Sequence, residues 1–126
     1  MLLDTNVLIR MASYPETLGH VAWDLIEGGP VFASAISHFE IVMKRMLGKL
    51  EAPESDLGAH FADQGITPLP FTEQHAARIA DFEELARHDP FDRMLLAQAA
   101  AERMDFLTSD STLLGLGYEW IIDARI

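Results

Sequence analysis

Asp92 is the acid in this chain that solubility does not explain. It lies in His88-Asp89-Pro90-Phe91-Asp92-Arg93-Met94-Leu95-Leu96, at the opening of an apolar helix. Proline suits the first helical position, because the amide hydrogen it lacks would have no partner there. Asp89 then reads as the N-cap and Asp92 as the third helical residue, and capping alone accounts for both acids. The position of Asp92 around the helix says more. Residues three, four and seven further on are Leu95, Leu96 and Ala99, so Asp92 projects from the stripe that faces the core. A lone buried carboxylate is costly unless it is paired or holds a metal.

Three other acids fit the same chemistry: Asp4, Glu40 and Asp110. Ser37 and Glu40 have capping-box spacing, yet Glu40 shares a helical face with Ile36, Met43 and Leu47. Asp4 ends a short apolar strand, and Asp110 lies two residues past another. Ligands of open parallel sheets bind outside the carboxyl ends of the strands. Asp4, Asp110 and the helix of Glu40 belong to that edge if the strands are parallel. Asp92 joins them only if its helix is turned to bring its first turn in.

Carboxylates gathered in one cleft repel one another and resist ionising. Divalent cations reverse that cost. Oxygen ligands suit magnesium or manganese, which keep several waters and leave room for phosphate oxygens. Such a site lends itself to phosphodiester hydrolysis. One ion acidifies a bound water, and a second, roughly 3.5–4 Å away, stabilises the leaving oxygen. Thr5, Asn6, Thr108 and Ser109 adjoin the acids and are candidate donors for orienting carboxylates or water. Arg93 is a candidate phosphate ligand or the partner of a neighbouring acid. The five histidines (His20, His38, His60, His75 and His88) show no paired ligand spacing. They read as surface or half-buried polar residues, although His38 and His88 flank acidic blocks and are candidates to touch substrate.

The elements that must position these residues alternate between strand and helix, which predicts an α/β fold with a largely parallel sheet. Strands are expected over Met1 to Leu3, Val31 to Ala33, Gly65 to Leu69, Phe106 to Thr108 and Tyr118 to Ile122. Pro68 assigns the third of these to a sheet edge. Helices are expected over Val7 to Met11, Pro15 to Glu27, Ile36 to Leu47, Pro53 to Asp63, from a Thr72 cap through Phe82, and from Pro90 to about Arg103. A turn or short helix covers Ser111 to Leu116. Leu18, Val21, Ala22 and Leu25 form the expected inward stripe of the second helix. Ala76, Ile79, Ala80 and Phe82 form that of the helix after Thr72.

The 126 residues fit a single domain, 1–126, with a real core. A hydrophobic fraction of 49% with 23% charged residues excludes a disordered chain. No apolar run approaches membrane-spanning length, and no membrane partner is expected. No signal-peptide pattern opens the chain. Without cysteine there are no disulfides or thiolate metal sites, and a cytoplasmic location is expected. The formal net charge of −11 opposes broad binding to a polyanion. It suits carboxylates gathered around divalent cations, or a basic partner.

The four blocks Leu3-Asp4-Thr5-Asn6, Ser37-His38-Phe39-Glu40-Ile41, Asp89-Pro90-Phe91-Asp92-Arg93 and Leu107-Thr108-Ser109-Asp110, taken in order, resemble a PIN domain. The closest likeness is to VapC-type toxins of type II toxin–antitoxin pairs. The resemblance implies a three-layer α/β/α fold and a magnesium- or manganese-dependent endoribonuclease. It carries Asp4, Glu40, Asp92 and Asp110 over as metal-site acids and leaves Asp89 as a cap. It also implies an RNA substrate, a cognate antitoxin and a homodimer. Leu113 stands where such proteins often have an aromatic residue. On this reading Lys44, Arg45 and Lys49, the only dense basic group, line an RNA path, contact a partner or form a solvated helix face. Two alternatives stand beside the ribonuclease: a PIN-like binding module that docks a basic antitoxin with little catalysis, and a metal-dependent phosphohydrolase acting on DNA or small phosphoesters.

Overall fold

A computed structural model describes residues 1–50 and 56–126. Its strands are β1 (Leu2–Leu3), β2 (Val31–Ser34), β3 (Ile66–Leu69), β4 (Phe106–Thr108) and β5 (Ile121–Asp123). They form one sheet in the order β3-β2-β1-β4-β5, with all neighbours parallel. The chain starts in the centre, builds outward through β2 and β3, then returns to the other side of β1 for β4 and β5. The order therefore reverses between β1 and β4, which opens a crevice at their carboxyl ends. β3 is an edge strand, as its proline requires.

The described α-helices are α1 (Thr5–Ser13), α2 (His20–Gly28), α3 (Ala35–Met46), α4 (Leu57–Asp63), α5 (Glu73–Ala77), α6 (Pro90–Glu102) and α7 (Ser111–Leu114). The expected helix from Pro53 is described from Leu57 onward; its first residues lie outside the described ones. Successive strand residues point to opposite faces, and here both faces are covered. Leu3 and Leu107 join a core beneath α1, α2 and α4, with Val7, Ala22 and Phe61. Leu2 and Phe106 join a second core with Leu95, Leu96 and Ala99 of α6. Two cores on one sheet make the three-layer α/β/α sandwich, and they explain why the central strands are wholly apolar.

Three helical expectations change. Ser34, not Ser37, caps α3, accepting a hydrogen bond from the Ile36 amide at 3.0 Å. That shifts the buried line of α3 to Ser37 and Ile41, and leaves Met43 and Leu47 exposed. The helix expected from Pro15 to Glu27 opens as a separate 3₁₀ turn, Pro15–Thr17, and α2 starts only at His20; its buried residues are Ala22 and Ile26, while Val21 and Leu25 face out. The helix after Thr72 breaks into α5 and two 3₁₀ turns, Arg78–Asp81 and Glu83–Leu85. Its inward residues are His75, Ile79, Phe82 and Leu85, while Ala76 and Ala80 are exposed.

Candidate active site

Asp4 sits at the floor of the crevice between β1 and β4. It is the N-cap of α1 and is 2% exposed. The Thr5 amide donates to its Oδ1 at 2.7 Å. Its Oδ2 accepts from Thr108 Oγ1 at 2.6 Å and from Asn6 Nδ2 at 3.1 Å. Burial pushes its carboxyl up to about 7; the Thr108 hydrogen bond opposes that shift, and the charges of Asp92 and Glu40 add to it. An acid that feels two other carboxylates from two other helices is the convergence the crevice provides.

Asp110 caps α7, accepting from the Thr112 amide at 2.8 Å, and its own amide donates to Thr108 Oγ1 at 3.0 Å. Thr108 thus ties Asp4 to Asp110 through one hydroxyl. Asp89 caps α6 by accepting from the Phe91 amide at 2.8 Å, and Asp92 follows in the first turn. Leu95, Leu96 and Ala99 on its stripe are fully buried. Burial raises the Asp92 carboxyl to about 6, with the Asp89 and Asp110 charges adding and a His88 hydrogen bond opposing. His88 Nε2 lies 2.8 Å from Asp92 Oδ2 and 3.9 Å from Asp110 Oδ2.

Glu40 stands on the other wall, its side chain 14% exposed, with Lys44 Nζ 3.2 Å from its Oε2. It lies in the second turn of α3, because the true cap is three residues earlier than Ser37. Ser37 instead shares a buried 2.8 Å hydrogen bond with the Thr5 hydroxyl, joining α3 to α1.

The PIN domain family model matches residues 1–116. The chain belongs to the PIN domain family. No curated relative matches the sequence. Among solved structures, it is similar to FitAB bound to an IR36 DNA fragment (23% identity, TM-score 0.67, 99% of this chain and 95% of that one). It is similar to a toxin–antitoxin complex from Klebsiella pneumoniae (19% identity, TM-score 0.65, 96% and 94%). It is also similar to VapBC2 from Rickettsia felis bound to a DNA fragment from their promoter (14% identity, TM-score 0.64, 97% and 95%). At these identities the three likenesses establish the fold.

Within this PIN domain the donor set fits a hard divalent cation. The side chains offered are carboxylates, two of them held well above their ordinary value, and a nearby cation would reverse that shift. Asn6 Oδ1 is buried without a hydrogen-bond partner, leaving one more oxygen acceptor beside Asp4. Asp92 and Asp110 already approach each other. Glu40 reaches Asp4 through its charge and is otherwise held by Lys44. Of the expected supporting donors, Asn6 and Thr108 bond Asp4 through their side chains, and Thr5 does so through its amide. Ser109 is half-buried between Thr108 and Asp110, and its side chain makes none of these bonds. Arg93 is half-buried, with Nε lacking a partner. Lys44 pairs with Glu40, and Lys49 is exposed.

His88, which the sequence offered as a candidate substrate contact, was not among the expected metal-site residues. Its ligand atom lies with those of Asp92 and Asp110 within 4.8 Å of one another, the one such group among the described residues. The available signal was its spacing of four from Asp92. Because His88 precedes the N-cap, helical periodicity did not extend to it.

Proposed function

We propose that this PIN domain is a magnesium- or manganese-dependent endoribonuclease and the toxin of a toxin–antitoxin pair. The observation that carries the reading is Asp4, buried at the strand crossover and raised toward neutrality in part by carboxylates from α3 and α6. Asp4, Glu40, Asp92 and Asp110 hold one or two ions. When bound, the metal supplies Lewis-acid chemistry, acidifying water and offsetting charge on the phosphate. Thr108 and Asn6 fix the Asp4 carboxylate, and Thr108 sets the spacing to Asp110. Arg93 follows Asp92 in α6 and is half-buried, and its guanidinium is the candidate donor to a phosphate oxygen. With no cysteine in the chain, attack by water is the simplest route.

Solved neighbours that are toxin–antitoxin complexes support a cognate antitoxin as partner, and a net charge of −11 favours a basic segment on it. A basic side chain from that partner would meet the same acids, as Lys44 already meets Glu40. A homodimer in the cytoplasm completes the reading.

The test is cleavage of RNA, DNA and a small phosphodiester by untagged protein at equal magnesium or manganese concentration, with and without chelator. Metal-dependent cleavage of RNA alone is the expected result. Preference for DNA or the small ester supports the phosphohydrolase alternative. Antitoxin binding without cleavage of any substrate supports the docking alternative.

A further inference from the structure

We infer that His88 is a nitrogen ligand to the divalent ion, shared with Asp92 and Asp110, so that the site is not an all-oxygen one. This inference rests on the metal-dependent reading above. The backbone aims the ring from both sides. The His88 amide donates to the carbonyl of buried Leu85 at 2.9 Å, and the Asp89 cap with Pro90 fixes the chain immediately after it. Nε2 then lies 2.8 Å from one carboxylate oxygen and 3.9 Å from another. Adjacent ligands of an octahedral ion with bonds of about 2.1 Å are about 3 Å apart. The three donor atoms lie within 4.8 Å of one another, near enough for side-chain adjustment to let them share one ion. The ring is one-quarter exposed, so the open side of the ion remains available to water and phosphate.

An ionised Asp92 carboxylate only accepts, so in this hydrogen bond Nε2 is the protonated nitrogen of the ring. Coordination through the Nε2 lone pair would require that proton to move: in a neutral ring it passes through solvent to Nδ1, and in an imidazolium it leaves to solvent while Nδ1 keeps its own. The consequence is selectivity. Imidazole is a donor for first-row transition ions, whereas magnesium takes oxygen. His88 therefore strengthens manganese binding more than magnesium binding, and the carboxylates serve both.

The experiment is pulsed electron paramagnetic resonance on untagged full-length protein loaded with Mn2+, reading nitrogen-14 couplings, with Mn2+ and Mg2+ affinities measured in parallel. Wild type is expected to show a directly coordinated nitrogen. His88→Gln and His88→Asn are expected to lose it, with Mn2+ affinity falling about tenfold or more and Mg2+ affinity changing less than about threefold. Circular dichroism establishes that each variant is folded, and two substitutions of different length guard against one that fails. Mn2+ binding that is lost in Asp92→Asn but shows no nitrogen coupling in wild type overturns the His88 inference and leaves the carboxylate site standing. Coupling that persists in both folded His88 variants does the same. Failure of wild type to bind either ion overturns both readings.

Discussion

Asp4 and Asp89 are both helix caps, and only one of them is buried among other acids. The difference governs what each does. The Asp4 carboxyl is raised from 3.8 to about 7, first by burial. The folded state then holds a proton that the unfolded state has released, so stability falls as pH rises through this window. Asp92, raised from 3.8 to about 6, adds in the same direction. Chelator-treated protein is therefore expected to melt at lower temperature as pH goes from about 4 to about 7, the Asp4 share being on the order of a few kcal/mol. Asp4→Asn is expected to flatten that dependence and to abolish metal-dependent cleavage. The amide is tolerated locally once the Asn6 side-chain amide flips, exchanging the Nδ2 that now faces Asp4 for its unpartnered Oδ1, which accepts. Differential scanning fluorimetry across pH, on wild type and variant, measures the slope. The sequence singled out Asp4 and Asp110 at strand ends and Asp92 on the apolar stripe of α6, whereas the stripe assigned to Glu40 is not kept, since Met43 and Leu47 are exposed. His88 was read only as a candidate substrate contact, because its approach to Asp92 depends on the turn into α6 rather than on a helical period.

At the scale of elements, α6 carries the division of labour within the Asp-Pro-Phe-Asp block. Asp89 and Pro90 start the helix, and that start aims Asp92 inward along the stripe of Leu95, Leu96 and Ala99. Asp89→Ala is expected to cost about 0.5–2 kcal/mol in urea unfolding, while Asp89→Ser, which keeps a capping oxygen, costs only a few tenths. Cleavage is expected to survive both substitutions in protein that remains folded. The first four strands and α6 were readable because their apolar runs are short and well bounded; the last strand was expected from Tyr118, but the chain turns at Glu119 and Trp120 and β5 begins at Ile121. The start of α3 was misread because Ser34 and Ser37 are both good caps. The chain uses the one at the strand end, and the other holds Thr5. The region after Thr72 was read as one helix from its apolar spacing. It breaks because Phe82 and Leu85 turn into the core beneath α6 by 3₁₀ geometry.

For the whole molecule, the parallel sheet reverses its order between β1 and β4, and Asp4 lies at the end of β1, where the charges of Asp92 and Glu40 reach it. Local pattern predicted strands in a parallel sheet, and the PIN resemblance implied the three layers. Local pattern did not specify strand order, which depends on pairings across the chain such as Leu2 with Phe106. None of the described helices is long and apolar enough to cross a membrane. The net charge of −11 works against compactness. Chelator-treated protein is expected to gain stability as sodium chloride rises from about 0.05 to about 0.5 M, over which the Debye length falls from about 14 Å to about 4 Å. The urea midpoint reads this. A saturating divalent ion adds about 2.7 kcal/mol at one hundred times its dissociation constant.

All of this depends on the four acids sharing a cation in the crevice. Diffraction from crystals grown with manganese, with an anomalous difference map calculated at its absorption edge, addresses that directly. The expected result is a peak in the crevice at coordination distance from Asp92 and Asp110, with Asp4 and Glu40 facing it directly or through water. A manganese peak elsewhere on the protein, with Asp4 and Asp92 retaining only protein partners, would contradict the account.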